Sequence, residues 1–152
     1  SGTPAGERLS GASRLRPDGI GPIDVGMTAD EALTAAGVPM VVSVTEHCET
    51  FRGAGGPGFV NLVAPTGSEG RIRVVTVFGD TVATAEDIRV GSPEADVLAA
   101  YPGIERLGSG DAHRLAHRAA GDHALVFVVV NATVVAMQAG SAATVLSEEF
   151  CA

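Results

Sequence analysis

Apolar and polar residues alternate in short runs along most of the chain, a pattern typical of β-strands with one buried face. The clearest alternating run is Arg71 to Phe78, whereas Ala124 to Val130 is apolar at every position and predicts a central strand covered on both faces. Further strands are predicted at Met40 to Val44, Phe59 to Val63, Thr81 to Thr84 and Thr133 to Gln138. We therefore expect an antiparallel sheet, with tight turns at Gly79-Asp80 and Asn131-Ala132.

Two related segments interrupt the strand pattern, and each has the period of a short helix. Ile23 to Gly37 (IDVGMTADEALTAAG) returns in degraded form 65 residues later (88 minus 23) as Ile88 to Gly103 (IRVGSPEADVLAAYPG). Thr28 opens a T-x-x-E capping box in the first copy, while Ser92 is expected to cap the second helix with Pro93 at its first position. Helices this short are unstable alone, so we expect both to lie on the sheet.

These elements predict an α+β fold, in which two helix-plus-antiparallel-strand repeats form a sheet with the short helices packed on one face. The chain has 152 residues, which fits one domain over residues 20–152, with repeats at about 20–84 and 85–152. Residues 1–19 are small and polar, contain Pro4 and Pro17 and show no apolar period. We expect them to be a flexible tether.

Ala112 to Ala119 is compatible with two structures, and they differ in what they imply for function. As a helix it would place His113 and His117 on one face, at the spacing of a two-histidine metal site. As a strand it would hold them about 13 Å apart along the backbone, too far to share one ion. Because strands follow the first helix, we favour the strand.

The helical interpretation supports an alternative function, a metal-binding protein or metal-dependent hydrolase. Its ligands would be His113, His117 and His123, together with Asp111 or Asp122. The favoured interpretation has no metal and no cofactor. Carboxylate pairs such as Glu94 with Asp96 are explained by helix-start charge, so the sequence predicts a protein that is not an enzyme.

Charge narrows the range of partners. The chain carries 18 acidic and 10 basic residues, a net charge of -8, and every basic residue is an arginine. This composition disfavours binding to a nucleic-acid backbone. The apolar run Ala124 to Val130 has only seven residues, far short of the roughly 20 that a membrane helix needs. Four arginines on alternating segments are the candidate binding face: Arg71, Arg73, Arg114 and Arg118.

Two cysteines, Cys48 and Cys151, are too far apart for a CxxC redox or zinc motif. They are either one disulfide or two unrelated buried thiols. Because Cys151 is next to last, where an untied end would fray, we favour the bridge. A bridge would place the protein outside the cytoplasm, secreted or anchored at the cell surface, with residues 1–19 as the spacer of a possible upstream lipid anchor.

The segments GMTADEAL and GSPEADVL, each followed by short strands, resemble the helix-plus-sheet repeat of the β-lactamase inhibitory protein and the related SmpA/OmlA (BamE-like) lipoproteins. The frame GIGPIDVGMTADEALTAAG, the AYPG after the second helix and the terminal EEFCA also resemble small exported actinobacterial proteins of uncharacterised function. The resemblance covers roughly residues 20–151.

In that family the helices cover one face of the sheet, and the open concave face binds a partner protein. The resemblance implies an exported, disulfide-stapled, non-enzymatic binding or scaffold domain whose partner is another extracytoplasmic protein or a component of the cell envelope. The residues that match the motif serve as turn, cap, core and disulfide positions rather than contact residues: Gly26, Met27, Thr28, Leu33 and Cys48.

Overall fold

The computed structural model describes residues 8–53 and 60–147, and within these ranges the chain forms two β-sheets and three short helices. The strands, in chain order, are β1 (Arg14–Arg16), β2 (Gly19–Ile20), β3 (Ile23–Asp24), β4 (Met40–Val44), β5 (Cys48–Gly53), β6 (Val60–Pro65), β7 (Val74–Val77), β8 (Ala83–Thr84), β9 (Glu105–Leu107), β10 (Ala112–Ala119), β11 (His123–Val130) and β12 (Thr133–Ser141). The helices are α1 (Ala29–Ala36), α2 (Glu94–Ala100) and α3 (Ala142–Val145).

The large sheet has eight strands in the order β4-β5-β6-β7-β12-β11-β10-β9, all paired antiparallel. Strands β4 to β7 form one meander, strands β9 to β12 form another, and the two meet where Val75 lies opposite Ala139. The small sheet has the order β3-β2-β1-β8, and β1 pairs with β8 in parallel. Strands β4 and β9 are therefore the two edges of the large sheet.

The inner face of the large sheet carries the main core. Successive strand residues point to opposite faces, so Leu62, Val75 and Ala139, which are paired across three strands, share one face. These side chains pack in one buried cluster with Leu15 of the small sheet and Ala32 of α1. The small sheet and the first two helices thus cover the inner face.

The outer face carries a second, smaller cluster. Val74, Ala124 and Val126 pack there against Ala142 and Val145 of α3. Since α3 has only four residues, it covers only part of an eight-stranded surface.

The predicted helix signals are confirmed for α1. Thr28 Oγ1 accepts a hydrogen bond from the Glu31 backbone at 3.2 Å, and Glu31 Oε1 accepts one from the Thr28 backbone at 2.9 Å. Gly37 ends the helix in the left-handed conformation, with φ 67°. The cap of α2 differs from the prediction: Pro93 is the N-cap residue and Glu94 begins the helix.

The predicted α+β class is wrong, because strands dominate the structure. The described helices have eight, seven and four residues, whereas the strands form an eight-stranded and a four-stranded sheet. The prediction rests on two segments with helix-start signals and omits strands that lack an apolar period. The molecule is mainly β, with short helices as covers.

The predicted tether is also wrong over the part that the structure describes. Leu9 and Leu15 are each 1% exposed and belong to the core, and β1 lies inside the small sheet. Two apolar side chains in a polar context are enough to fasten this segment, because each is fully buried. Residues 1–7 lie outside the described ranges.

Two predictions about single strands had different outcomes. Ala112–Ala119 is a strand, as favoured. The predicted hairpin at Gly79-Asp80 does not form, because β8 pairs with β1 and not with β7. Because β1 and β8 lie far apart in the sequence, their pairing leaves no local signal.

Candidate binding surface

His113 is buried on the inner face of β10 and holds the first turn of α2. Its Nε2 lies 2.6 Å from Glu94 Oε2, and its Nδ1 lies 3.0 Å from the carbonyl oxygen of Gly110. The two side chains are 4% and 19% exposed. The carboxylate ties the ring to α2, and the carbonyl ties it to the loop before β10. His113 is therefore occupied in fixing α2 on the sheet.

His117 performs a similar task at the other end of the same helix. Its ring centroid lies 4.8 Å from that of Tyr101, the residue that ends α2, and Tyr101 also contacts Phe127 at 5.3 Å. The Tyr101 hydroxyl donates to Glu86 Oε2 at 2.8 Å. Burial is the main cause that raises the pKa of Tyr101 well above its ordinary value.

The described residues do not bring the predicted metal ligands together. His123 begins β11 opposite Ala119, while His113 and His117 are engaged with α2. No group of three or more histidine, cysteine, aspartate or glutamate side chains within the described ranges is placed to hold a metal ion. His113 and His117 instead contact the two ends of α2.

The four predicted binding arginines do not form one surface. Arg71 donates to the carbonyl oxygen of Gly26 at 2.8 Å, beside the start of α1. Arg114 donates to the carbonyl oxygen of Leu146 at 3.0 Å and so satisfies the end of α3. Arg118 forms a 3.4 Å ion pair with Glu105, and Arg73 is half-buried where the chain enters β7.

Cys48 is buried at 3% exposure and does not carry a free thiol. Its predicted partner, Cys151, lies outside the described residues. The bridge between them stays a prediction. Cys48 belongs to the outer-face cluster that packs against α3, which places it on the same face as the end of the described chain.

A polar row crosses the outer face beyond the cover of α3. Gln138, Thr76, Asn61 and Arg52 occupy neighbouring strands in one cross-strand line. Asn61 Oδ1 is buried with no hydrogen-bond partner among the described residues. A cavity of about 440 Å³ lies at the edge of the sheet between this row and β4. Buried polar atoms are seldom left unpaired, so Asn61 marks this row as an unusual feature of the outer face.

Exposed apolar side chains lie at one end of the same sheet. Phe78, Val130 and Val135 are 49%, 36% and 41% exposed, and they follow β7, end β11 and lie near the start of β12. A cavity of about 370 Å³ lies next to Val130, because its lining includes Ala112, the strand partner of Val130, together with Val128, Arg114 and Gln138. We call Phe78, Val130 and Val135 the apolar rim.

Sequence reasoning missed Glu94, Phe78 and Tyr101 as site residues. In the sequence, helix-start charge is enough to explain Glu94. Only the contact with His113 shows that Glu94 also fastens α2 to the sheet. Phe78 ends the predicted alternating run and lies just after β7. Its exposure depends on which face the helices cover. The apolar alternation alone did not contain that information.

Comparison with known proteins shows relatives by fold only. No family model matches the chain, and no curated protein matches it. An uncharacterised protein, yfeY, from Escherichia coli has a similar structure, with a TM-score of 0.57 over 84% of this chain and 99% of that protein, at 11% identity.

A second similar structure is an extracellular protein containing a SCP domain from Bacillus anthracis str. Ames. The TM-score is 0.53 at 12% identity, over 80% of this chain and 45% of that protein. Both likenesses show a shared fold and do not test the resemblance to the β-lactamase inhibitory protein family, which stays a prediction. Among the described residues, no helix is long and apolar enough to cross a membrane.

Proposed function

We propose that the chain is a non-enzymatic, extracytoplasmic protein-binding or scaffold domain that binds its partner on the outer face of the large sheet. The observation that carries this proposal is the apolar rim. Phe78 is an aromatic side chain that is 49% exposed in a chain with only six aromatic residues. Aromatic side chains that bury on contact with a partner are common anchors of protein interfaces.

Two features of the surroundings support a protein partner. The cavity of about 370 Å³ next to the rim has both apolar and polar walls, formed by Val128, Gln138 and Arg114. Arg52, the exposed end of the polar row, extends the surface toward β4 with a hydrogen-bonding group. A patch with an apolar anchor and a polar surround is typical of interfaces that form between soluble proteins.

The extracytoplasmic location is part of the same proposal and rests on the cysteines. A bridge between Cys48 and Cys151 would fasten the end of the chain to the outer-face cluster and would persist only in an oxidising compartment. Mass spectrometry of the unreduced protein tests it through the number of free thiols. Two free thiols would contradict both the bridge and the location.

Site-specific photocrosslinking in cells that produce the protein tests the binding surface. Benzoylphenylalanine at position 78 should form a covalent adduct with a second, different protein. Position 98 is the matched control, because Leu98 is also 49% exposed but lies on α2, over the inner face. Equal crosslinking at both positions, or none at position 78, would contradict the outer face as the binding surface.

A further inference from the structure

Among the described residues, strand β4 is an exposed edge of the large sheet without the usual protection. Its residues Val41, Val42 and Val44 are 46%, 48% and 71% exposed, so apolar side chains meet solvent on both faces of the strand. Met40–Val44 contains no charge and no proline. Exposed, uncharged edge strands of this kind pair readily with other strands.

The opposite edge of the same sheet shows what protection looks like. Strand β9 has three residues, of which Glu105 and Arg106 are charged and exposed. Arg106 donates to the carbonyl oxygens of Gly108 and Gly110 at 3.3 and 3.0 Å, and Glu105 pairs with Arg118. Short, charged edges disfavour strand addition. One edge is therefore protected and the other is open.

The hydrogen-bond pattern shows which main-chain groups of β4 are available. The Thr45 amide donates to the Cys48 carbonyl oxygen at 2.8 Å, toward β5. Hydrogen-bonding direction alternates along an antiparallel strand, so Val41 and Ser43 also face β5. The amides and carbonyls of Met40, Val42 and Val44 consequently point away from the sheet.

We infer that β4 pairs antiparallel with β4 of a second copy of this chain, about a two-fold axis at Val42. Val42 is the central residue of a five-residue strand, and its outward amide and carbonyl can bond to those of Val42 in the other copy. The same operation pairs Met40 with Val44, whose main-chain groups also point outward. Every outward group of the strand thus has a complementary group in an identical strand.

Side chains on both faces suit this pairing. Val42 would lie against Val42, Met40 against Val44, and Val41 against Ser43, so no charge meets a like charge across the two-fold axis. Pairs of β-branched residues stabilise neighbouring strands. The result would be one continuous sheet through both copies.

Charges flanking β4 are complementary under the same symmetry. The pairing brings the hairpin tip, with Glu46 opposite Val38 and His47 opposite Gly37, alongside the other copy; the Glu46 side chain is 89% exposed and lies 3.8 Å from His47 Nε2. Arg8 lies against Gly37, where its Cγ would be 3.0 Å from an added Cβ, and it is exposed with no ion pair among the described residues. Arg8 of each copy would then lie near the hairpin tip of the other, within reach of the Glu46 carboxylate. In a chain with a net charge of -8, this local attraction favours self-association at this edge over other surfaces.

Sedimentation equilibrium of the purified full chain tests the pairing. At about 100 µM, well above a micromolar Kd, the protein should sediment at twice its 15.3 kDa chain mass. Val42→Pro removes one outward donor from each copy but no bond to β5. It should raise Kd about 30-fold, since two hydrogen bonds are lost per dimer. A wild-type monomer at this concentration overturns the proposal.

Two further sets of variants separate the pairing from general effects on folding. Val42→Lys should abolish the dimer because two cations would meet at the two-fold axis, while Val135→Lys, at a similarly exposed valine of the apolar rim, should leave it unchanged. Arg8→Glu and Glu46→Arg should each weaken the dimer, and the double variant should restore it. A Kd that neither Val42→Pro nor Val42→Lys raises, or that Val135→Lys raises as much as Val42→Lys does, overturns the proposal.

Discussion

The contact between His113 and Glu94 fastens α2 to the large sheet, and Glu94→Ala should loosen that helix. His113 Nε2 lies 2.6 Å from the carboxylate, and the His113 side chain is only 4% exposed. Removal of the carboxylate leaves a buried ring nitrogen without an acceptor. Leaving a buried polar group unpaired costs about 1–3 kcal/mol, and removing one partner of a fully buried ion pair costs about 3–5 kcal/mol.

The magnitude follows from the exposure of the two side chains. The Glu94 side chain is 19% exposed, so water already reaches part of the pair and the fully buried figure is too high. We expect Glu94→Ala to lower the free energy of unfolding by about 2 kcal/mol, which for a chain of this size lowers Tm by about 4–8 °C. Glu94→Gln keeps an acceptor and should cost about half as much.

Urea unfolding followed by circular dichroism measures these differences. Asp96→Ala is the matched control: Asp96 is also acidic and in the first turn of α2, but it is exposed. It should cost at most about 0.5 kcal/mol, the effect of helix-start charge alone. A double-mutant cycle with His113→Ala should give a coupling of about 1–2 kcal/mol. Equal costs for Glu94→Ala and Asp96→Ala, or no coupling, would refute the fastening role.

Three other predictions test separate features. Tyr101→Phe should reduce the loss of stability above pH 10.0. Because the pKa of Tyr101 is raised in the folded state, its contribution to stability is complete below the unfolded value of 10.0 and is lost as pH rises. At neutral pH the substitution should cost about 1 kcal/mol, because the hydrogen bond to Glu86 is lost. Glu31→Gln should flatten the acid side of the plot of stability against pH. Hydrogen bonds to Thr28 lower the pKa of Glu31 below 4.5. The carboxylate therefore contributes stability above pH 4.5, and this contribution is lost as the pH falls further. Gly140→Ala should remove most of the stability or abolish folding, because the new Cβ would lie 2.0 Å from the Arg73 carbonyl oxygen. Gly103→Ala is the control: no atom lies within 4 Å of its new Cβ, and it should cost only about 1 kcal/mol. Thermal unfolding compares the two variants, and similar Tm values would contradict the close approach at Gly140.

Local chemistry made some elements predictable from sequence. Residues within one short segment determine each of three features: the Thr28–Glu31 capping box, the left-handed Gly37 and the apolar run Ala124 to Val130 of β11. The turn at Asn131-Ala132 also forms, with φ of 51° and 62°. Where neighbours in sequence supply the partners, the pattern is sufficient.

Elements that depend on distant partners could not be predicted. Strand β1 exists because it pairs with β8, and Leu9 is buried because α1 is there to accept it. The Leu9 amide, for example, donates to the Ala36 carbonyl oxygen at 2.9 Å. The same limit applies to the surfaces: which arginines converge, and which apolar residues stay exposed, depends on which face the helices cover.

The junction of β7 with β12 has a consequence for the order in which the chain folds. Val75 lies opposite Ala139, 64 residues away (139 minus 75), and all four residues of β7 are buried. As the chain emerges from the ribosome or a translocation channel, β7 is the unpaired edge of the first meander until β12 follows. Pairings this distant in sequence form slowly. We therefore expect closure of this junction to limit the folding rate, and we expect the half-formed sheet to be the species most prone to aggregate.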